Sequence, residues 1–331
     1  MPAALPPLSI LDLAPVVEGA TTREALLNSL DLVKLADKLG YARYWVAEHH
    51  NMEGVASSAT AVLIGQLATA SSRIRVGAGG IMLPNHAPLT IAEQFGTLAE
   101  LFPGRIDLGL GRAPGTDRPT MRALRRSLEN SGGEDAFPHD VLELQSYLAA
   151  GARDAVVRAV PGQGTEVPIW LLGSSLYSAQ LAAHLGLPFA FASHFAPELL
   201  MQALDIYRAT YRPSLRHPKP HAMVGLNVVV APTDEEAQFL FTSTQQRFLG
   251  MVRGRRGKLP PPVASMDTLW SPAERMQVER MLSEAVVGSP GTVRAGLAAT
   301  AERTGADEFI IACAVHDHAA RRRSYELLAG I

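Results

Sequence analysis

Cysteine is nearly absent. Cys313 is the single one in 331 residues, so no intramolecular disulfide can form and no CxxC metal or redox pair exists. An excess of either charge is missing too. A formal net charge of -2 gives no basis for non-specific binding to nucleic acid. No apolar run approaches the roughly 18 residues a membrane span needs. The opening MPAALPPLSIL has neither the charged start nor the long apolar core of a signal peptide, so a cytoplasmic location is expected. Neither an H-x-H strand pair nor an H-E-x-x-H helix occurs, and no metal site is expected. No internal repeat is visible.

What is there is hydrophobic: 47% of residues are apolar and 19% charged, enough to bury a large core. The apolar residues alternate between two periods. Leu8–Ala14 reads as a short buried strand with Asp12 as an odd polar member. Thr21 and Glu24 then form a capping box ahead of a helix whose Leu26, Leu30, Val33 and Ala36 share one face and which Gly40 stops. A strand over YARYWVA follows, then a helix over about 59–72 capped by Ser57 or Ser58. Next come a strand ending in Gly79-Gly80, a helix begun at Pro88, and a strand over Arg105–Leu110. Residues 117–151 read as helical but interrupted at Ser131-Gly132-Gly133. Strands over Pro168–Leu172, Phe189–Ala192, Met223–Val230 and Glu308–Ala314 alternate with helices over Leu176–Leu185, Pro197–Tyr211 and Asp234–Val252, and a terminal helix covers Ala319–Leu328.

Eight strands alternating with helices predict a (β/α)8 TIM barrel in one domain spanning 1–331. Two stretches interrupt the count. Arg212–His221 is proline-rich and must be a loop. A long insertion after strand seven, about 253–285, carries Arg253, Arg255, Arg256, Lys258 and the Pro260-Pro261-Pro262 run, with a helix over 272–286. At that place it reads either as a lid over the mouth or as an exposed excursion.

Chemistry concentrates at the carboxyl ends of the strands, where ligands bind in such folds. Strand two ends in Glu48-His49-His50, three titratable groups that cannot be buried cheaply. Strand three ends in Gly79-Gly80, which lets a flat ligand or an unusual backbone approach closely. Strand four ends Gly109-Leu110-Gly111-Arg112-Ala113-Pro114-Gly115, whose glycine spacing is not a dinucleotide fingerprint. Alone, Arg112 reads first as an ion-pair partner. Strand five ends Gly173-Ser174-Ser175-Leu176-Tyr177-Ser178 and enters a helix, which alone is an ordinary serine cap. Together, an arginine and a helix N-terminus on adjacent strands can grip one phosphate. A histidine pair, a bare glycine wall and a phosphate grip suit a planar, phosphate-tailed cofactor such as FMN. His194, in FASHF after strand six, points to the same mouth. His86 belongs to the loop after strand three. His184, His217, His221, His316 and His318 show no ligand spacing, and Cys313 reads as core.

At this point the chain resembles a known family. WVAEHH, VGAGGIMLPNHAPLTIAEQ, GRIDLGLGR and WLLGSSLYSAQLAAHLGLPFAFASHF resemble the bacterial luciferase-like flavin-dependent monooxygenases, and in particular their single-subunit oxidoreductases. The likeness runs from the first strand to about residue 230 and resumes over Val287–Ala314. It implies that His49 assists the flavin–oxygen chemistry and that His50 supports it, with His50 and His194 as substrate-contact candidates. It further implies a non-proline cis peptide at Gly79–Gly80, and cofactor binding by Gly79, Gly80, Arg112, Ser174, Ser175, Leu176 and Ser178. Two departures stand out. Gly111 occupies the place of luciferase's reactive cysteine, and a second phosphate-binding arginine is replaced near Pro138-His139. Aldehyde-driven light emission is therefore not implied.

The resemblance implies reduced FMN supplied by a separate flavin reductase, molecular oxygen, a small-molecule substrate, and a homodimer formed through helices two and three. Two rivals share these residues. Some relatives use a deazaflavin for hydride transfer without oxygen. A non-catalytic flavin-binding protein would leave the histidine cluster uninvolved.

Overall fold

Alternating side-chain direction along each strand sorts this chain into an inside and an outside. In the computed structural model, which describes residues 5–113, 115–124, 136–151 and 156–331, that sorting closes a barrel. Strands β1 (Leu8–Asp12), β2 (Arg43–Val46), β3 (Arg75–Met82), β4 (Ile106–Gly111), β5 (Ile169–Gly173), β6 (Phe189–Phe191) and β7 (Ala222–Val230) pair in sequence, all parallel. A short strand β8 (Val286–Gly288) lies beside the far end of β7, outside the barrel. Strand β9 (Glu308–Ala312) joins β7 to β1 and closes the ring. The fold is the expected (β/α)8 barrel.

Outward positions such as Ile10, Tyr44, Val46, Phe309 and Ile311 enter the large core between strands and helices. Inward positions one residue away, Leu11, Trp45, Trp170, Met223 and Ile310, form a second core inside the ring. There Trp45 and Trp170 pack edge to face at 5.3 Å. Below them, at the amino end, the inward residues are charged. Arg43 joins Asp107 (2.7 Å) to Glu308 (3.0 Å), Arg75 closes on the other Asp107 oxygen, and Ser9 donates to Glu308. Burial would push the Glu308 carboxyl up, but the His221 hydrogen bond and the charge of Arg43 hold it below its ordinary value. The ionic floor and the tryptophans seal one end, so only the carboxyl end can admit a ligand. Above the tryptophans several inward positions are glycines. A Cβ on Gly79 would come within 3.0 Å of both Leu11 and Trp45, and one on Gly80 within 2.7 Å of the Gly109 carbonyl.

The helices follow their sequence signals. Helix α1 (Thr22–Leu39) starts at the Thr21/Glu24 capping box and stops at Gly40, whose φ of 83° is left-handed. Helix α2 covers Thr60–Thr69 and α3 Pro88–Leu101. Neither Ser57 nor Ser58 caps α2: its N-cap is Ala59, without a side-chain bond. Both hydroxyls turn back instead, to the carbonyls of Ala47 (2.5 Å) and His49 (2.7 Å). After β4 come α4 (Arg118–Ala123) and α5 (Phe137–Leu148), while the expected break at Ser131-Gly132-Gly133 lies outside the described residues. Helix α6 (Leu176–Leu185) has the expected bounds; α7 is Leu200–Thr210, and Arg212–His221 is an irregular connection.

Helix α8 (Asp234–Val252) also has the expected bounds. The insertion then crosses the carboxyl end of the barrel. Leu259 pairs with Val17 and exchanges backbone hydrogen bonds with Val16 and Glu18, and the Lys258 ammonium donates to the Ala20 carbonyl at 3.0 Å. The helix expected to reach residue 286 is shorter: α9 ends at Met281, and Val286–Gly288 is strand β8. Val286 and Val287 are β-branched, and pairing with Val228–Val230 overrides the helical spacing. Helices α10 (Pro290–Thr304) and α11 (His318–Ala329) complete the chain.

Candidate functional site

The end of β2 is held by its neighbour. The Glu48 amide donates to the Gly80 carbonyl at 3.1 Å, and one Glu48 oxygen accepts from the Met82 amide at 2.9 Å. The other oxygen meets Nε2 of His50 at 2.6 Å and Nε2 of His86 at 2.8 Å. Burial alone would raise the Glu48 pKa, but the His86 and His50 hydrogen bonds and the Met82 amide lower it below the usual value. Glu48 is thus a buried, ionised anchor that joins the loop after β2 to the loop after β3. His50 spends a ring nitrogen on this anchor, which fits the supporting role expected for it. His86 joins it from the expected loop. These three ligand atoms lie within 4.8 Å of one another, a grouping that no spacing in the sequence reveals; here they satisfy one another by hydrogen bonds.

His49 faces the other way. Its Nδ1 is buried with no hydrogen-bond partner among the described residues. Burial pushes its pKa down and the charge of Arg247 pushes it further, to about 4, against the pull of the Gly115 backbone. His194, after β6, shares this condition. Its Nδ1 is also buried and unpartnered, and burial with the charges of Arg247 and His49 lowers its pKa to about 4. It sits where a Cβ on Gly225 would stand 2.5 Å from that Nδ1. His49 and His194 thus act on one another and share the influence of Arg247.

Both are bases whose pKa is depressed on folding. The unfolded imidazoles take a proton near 6.5 and the folded ones near 4. Stability is therefore full above about pH 6.5 and is lost as pH falls from there toward 4, by at most about 3 kcal/mol per histidine. A His49→Gln/His194→Gln variant is expected to lose less melting temperature than the parent between pH 7.5 and 5. Parallel curves would show that neither imidazole is held neutral by the fold.

The residues expected to form a grip lie at the ends of β4 and β5. The Arg112 guanidinium lies over the Tyr177 ring at 4.4 Å, which brings it to the first turn of α6. Ser175 is the N-cap of that helix, its hydroxyl accepting from the Ser178 amide at 3.5 Å, while the Ser178 hydroxyl donates to the Ser175 carbonyl at 2.9 Å. Ser174 precedes the cap, and Leu176 opens the helix with its side chain against the core. The bond Gly79–Gly80 is cis, as the resemblance implies. Cys313 is buried beside Ser324. His221 and His318 are engaged with Glu308 and Asp31.

Arg247 escaped the sequence reading. It lies midway along α8, about 200 positions from His49, in a stretch whose only legible feature is a helix. Asn227, on β7, was also missed; its amide donates to the His194 carbonyl and fixes that loop.

Comparison with known proteins gives a consistent result. A family model described as luciferase-like monooxygenase matches residues 8–308. A luciferase-like monooxygenase of Escherichia coli K12 is 57% identical over 96% of this chain and 95% of its own. An N-acetyl-S-alkylcysteine monooxygenase of Bacillus subtilis is 30% identical over 97% of both chains. Among solved structures, apo-MsnO8 superposes with a TM-score of 0.90 at 38% identity, covering 98% of each chain. The fold alone is shared with the FMN complex of the 3,6-diketocamphane monooxygenase oxygenating component from Pseudomonas putida (18% identity, TM-score 0.74) and with an F420-dependent secondary alcohol dehydrogenase (13%, 0.65).

Proposed function

The chain belongs to the luciferase-like monooxygenase family, and from that premise we propose that it uses reduced FMN and molecular oxygen to oxidise a small organic substrate in the mouth of the barrel. The observation that carries this reading is His49, a neutral imidazole with an unpartnered Nδ1, beside the bare Gly79–Gly80 wall and in the same mouth as Arg112 and the first turn of α6. These residues fit the cofactor. Arg112, Ser174, Ser175, Ser178 and the free amides at the start of α6 hold its phosphate. Gly79 and Gly80 present no side chain to its flat ring, and a Cβ on either would press on barrel atoms.

Reduced FMN supplies the two electrons that activate oxygen, one oxygen atom passing to the substrate and the other leaving as water. His49 exchanges a proton at Nδ1 during that transfer. A buried imidazole with a pKa of about 4 is neutral at pH 7, so it can accept a proton as charge develops. Glu48, tied to His50, His86 and the Met82 amide, fixes the backbone from which His49 projects. Residues 253–285 cover the mouth and keep bulk water from the reacting atoms. As the family resemblance implies, a separate reductase provides the reduced flavin. Val62 (71% exposed) on α2 and Leu101 (66%) on α3 offer the apolar surface for a homodimer.

The test is anaerobic titration with reduced FMN, then with reduced deazaflavin, followed by air. Tight binding of reduced FMN and substrate-dependent oxygen uptake are the expected results. Binding of deazaflavin alone moves the chain to hydride transfer without oxygen. If neither binds, the phosphate grip at Arg112 and Ser174–Ser178 is wrong and the reading fails.

A further inference from the structure

Arg247 carries a positive charge that no described residue balances. It rises from the turn of α8 whose Thr244 hydroxyl donates to the Ala314 carbonyl, just past the carboxyl end of β9, at 3.0 Å, and its charge acts on both His49, after β2, and His194, after β6. It is partly buried, and among the described residues no carboxylate lies within ion-pair reach of it and no acceptor takes a hydrogen bond from it. Burial and the neighbouring charge of Arg321 both act against it.

The acids nearest this region are already spent. Asp12 accepts from Arg321 at 2.7 Å, from Ser29 and Tyr44 at 2.5 Å each, and from the Ala14 amide at 2.9 Å. Glu48 is divided between His50, His86 and Met82. Three further buried polar atoms lack partners among the described residues: Nδ1 of His49, Nδ1 of His194, and the hydroxyl of fully buried Ser243. Ser243 lies one turn before Arg247, on the same face of α8. The guanidinium can only donate and the Ser243 hydroxyl can donate, while each neutral imidazole has one N–H and one bare nitrogen.

A guanidinium withdrawn from water without a counter-charge is costly, and so is a buried donor without an acceptor. Both costs are offset by one kind of ligand, a small oxyanion. We propose that Arg247, with Ser243, is a recognition site for the carboxylate of an organic substrate, in the mouth that His49 and His194 line. The planar fork of arginine matches a carboxylate in two parallel bonds. The phosphate grip is a separate site, on the β4–β5 side of the mouth. This inference names the substrate class of the proposed oxidation and rests on that reading for turnover, but not for binding.

Binding can therefore be tested without flavin. Hexanoate and hexanamide have the same length and differ in charge. Calorimetric titration of the flavin-free protein is expected to show hexanoate bound about 10- to 100-fold more tightly, the range for a charge-assisted hydrogen-bonded pair. In Arg247→Gln that preference disappears, and Arg247→Lys restores part of it. Because the arginine has no partner to lose among the described residues, Arg247→Gln melts at or above the parent temperature and binds reduced FMN with unchanged affinity. Equal binding of the two probes, binding of neither, or a lower melting temperature in Arg247→Gln overturns the proposal. So does a variant that loses reduced FMN yet keeps its preference for hexanoate. Carboxylate preference in a protein that binds no reduced FMN would overturn the monooxygenase reading instead and leave this site standing.

Discussion

Replacing His49 with alanine is expected to lower substrate-dependent oxygen uptake by about 100- to 10,000-fold, the usual range for a positioned acid or base, while reduced FMN remains bound. The effect is large because nothing nearby can substitute for it. His50 has its Nε2 on Glu48, and His194 stands across the mouth in its own loop. It is also separable from folding. Among the described residues the His49 Nδ1 has no hydrogen-bond partner, so its loss leaves only the Gly115 backbone group that meets the ring without its partner. Anaerobic flavin titration and oxygen-electrode rates on the same preparation decide the matter. Turnover lost with flavin bound removes the rival in which the chain merely stores a flavin. Turnover within a few fold of the parent removes His49 from the chemistry.

The largest stability effect is expected at the opposite kind of arginine, one with every partner in place. Arg321 on α11 is buried and bonds to Asp12 at 2.7 Å and to the Cys313 carbonyl at 3.0 Å. Asp12 in turn holds Ser29 of α1 and Tyr44 of β2. Burial would raise the Asp12 pKa, but Arg321 and the hydroxyl donors hold it below its ordinary value. The cluster ties the last helix to the first strand, the first helix and the second strand. Arg321→Met strands the Asp12 carboxylate in the core, and a loss of about 3–5 kcal/mol is expected in denaturant unfolding. The Asp12→Asn/Arg321→Met pair should recover part of that loss, since no charge is then stranded. A single variant within about 1 kcal/mol of the parent would show that water reaches Asp12.

Local signals made several elements readable in advance. The Thr21/Glu24 box, the glycine stop at Gly40 and the serine turn at Ser175 are short-range contacts between residues a few positions apart, so the chain states them directly. The alternating apolar strands gave the barrel for the same reason. Where local spacing competed with distant pairing, distance won. Val286 and Val287 left the helical pattern to lie beside Val228 and Val229. Ser57 and Ser58 left the cap of α2 to hold the carbonyls of Ala47 and His49.

The amino-acid sequence by itself determined the barrel and the positions of His49, Arg112 and Ser174–Ser178, because strand period, turn residues and helix starts are written within a few neighbouring residues. Only the tertiary structure decided what those groups face. Glu48, His50 and His86 meet because β2 and β3 are adjacent and their loops fold together. Burial first, and then the charge of Arg247, some 200 and 50 positions away, holds His49 and His194 neutral. Charge acts through space and depends on burial, and neither distance through space nor depth is encoded in local order along the chain.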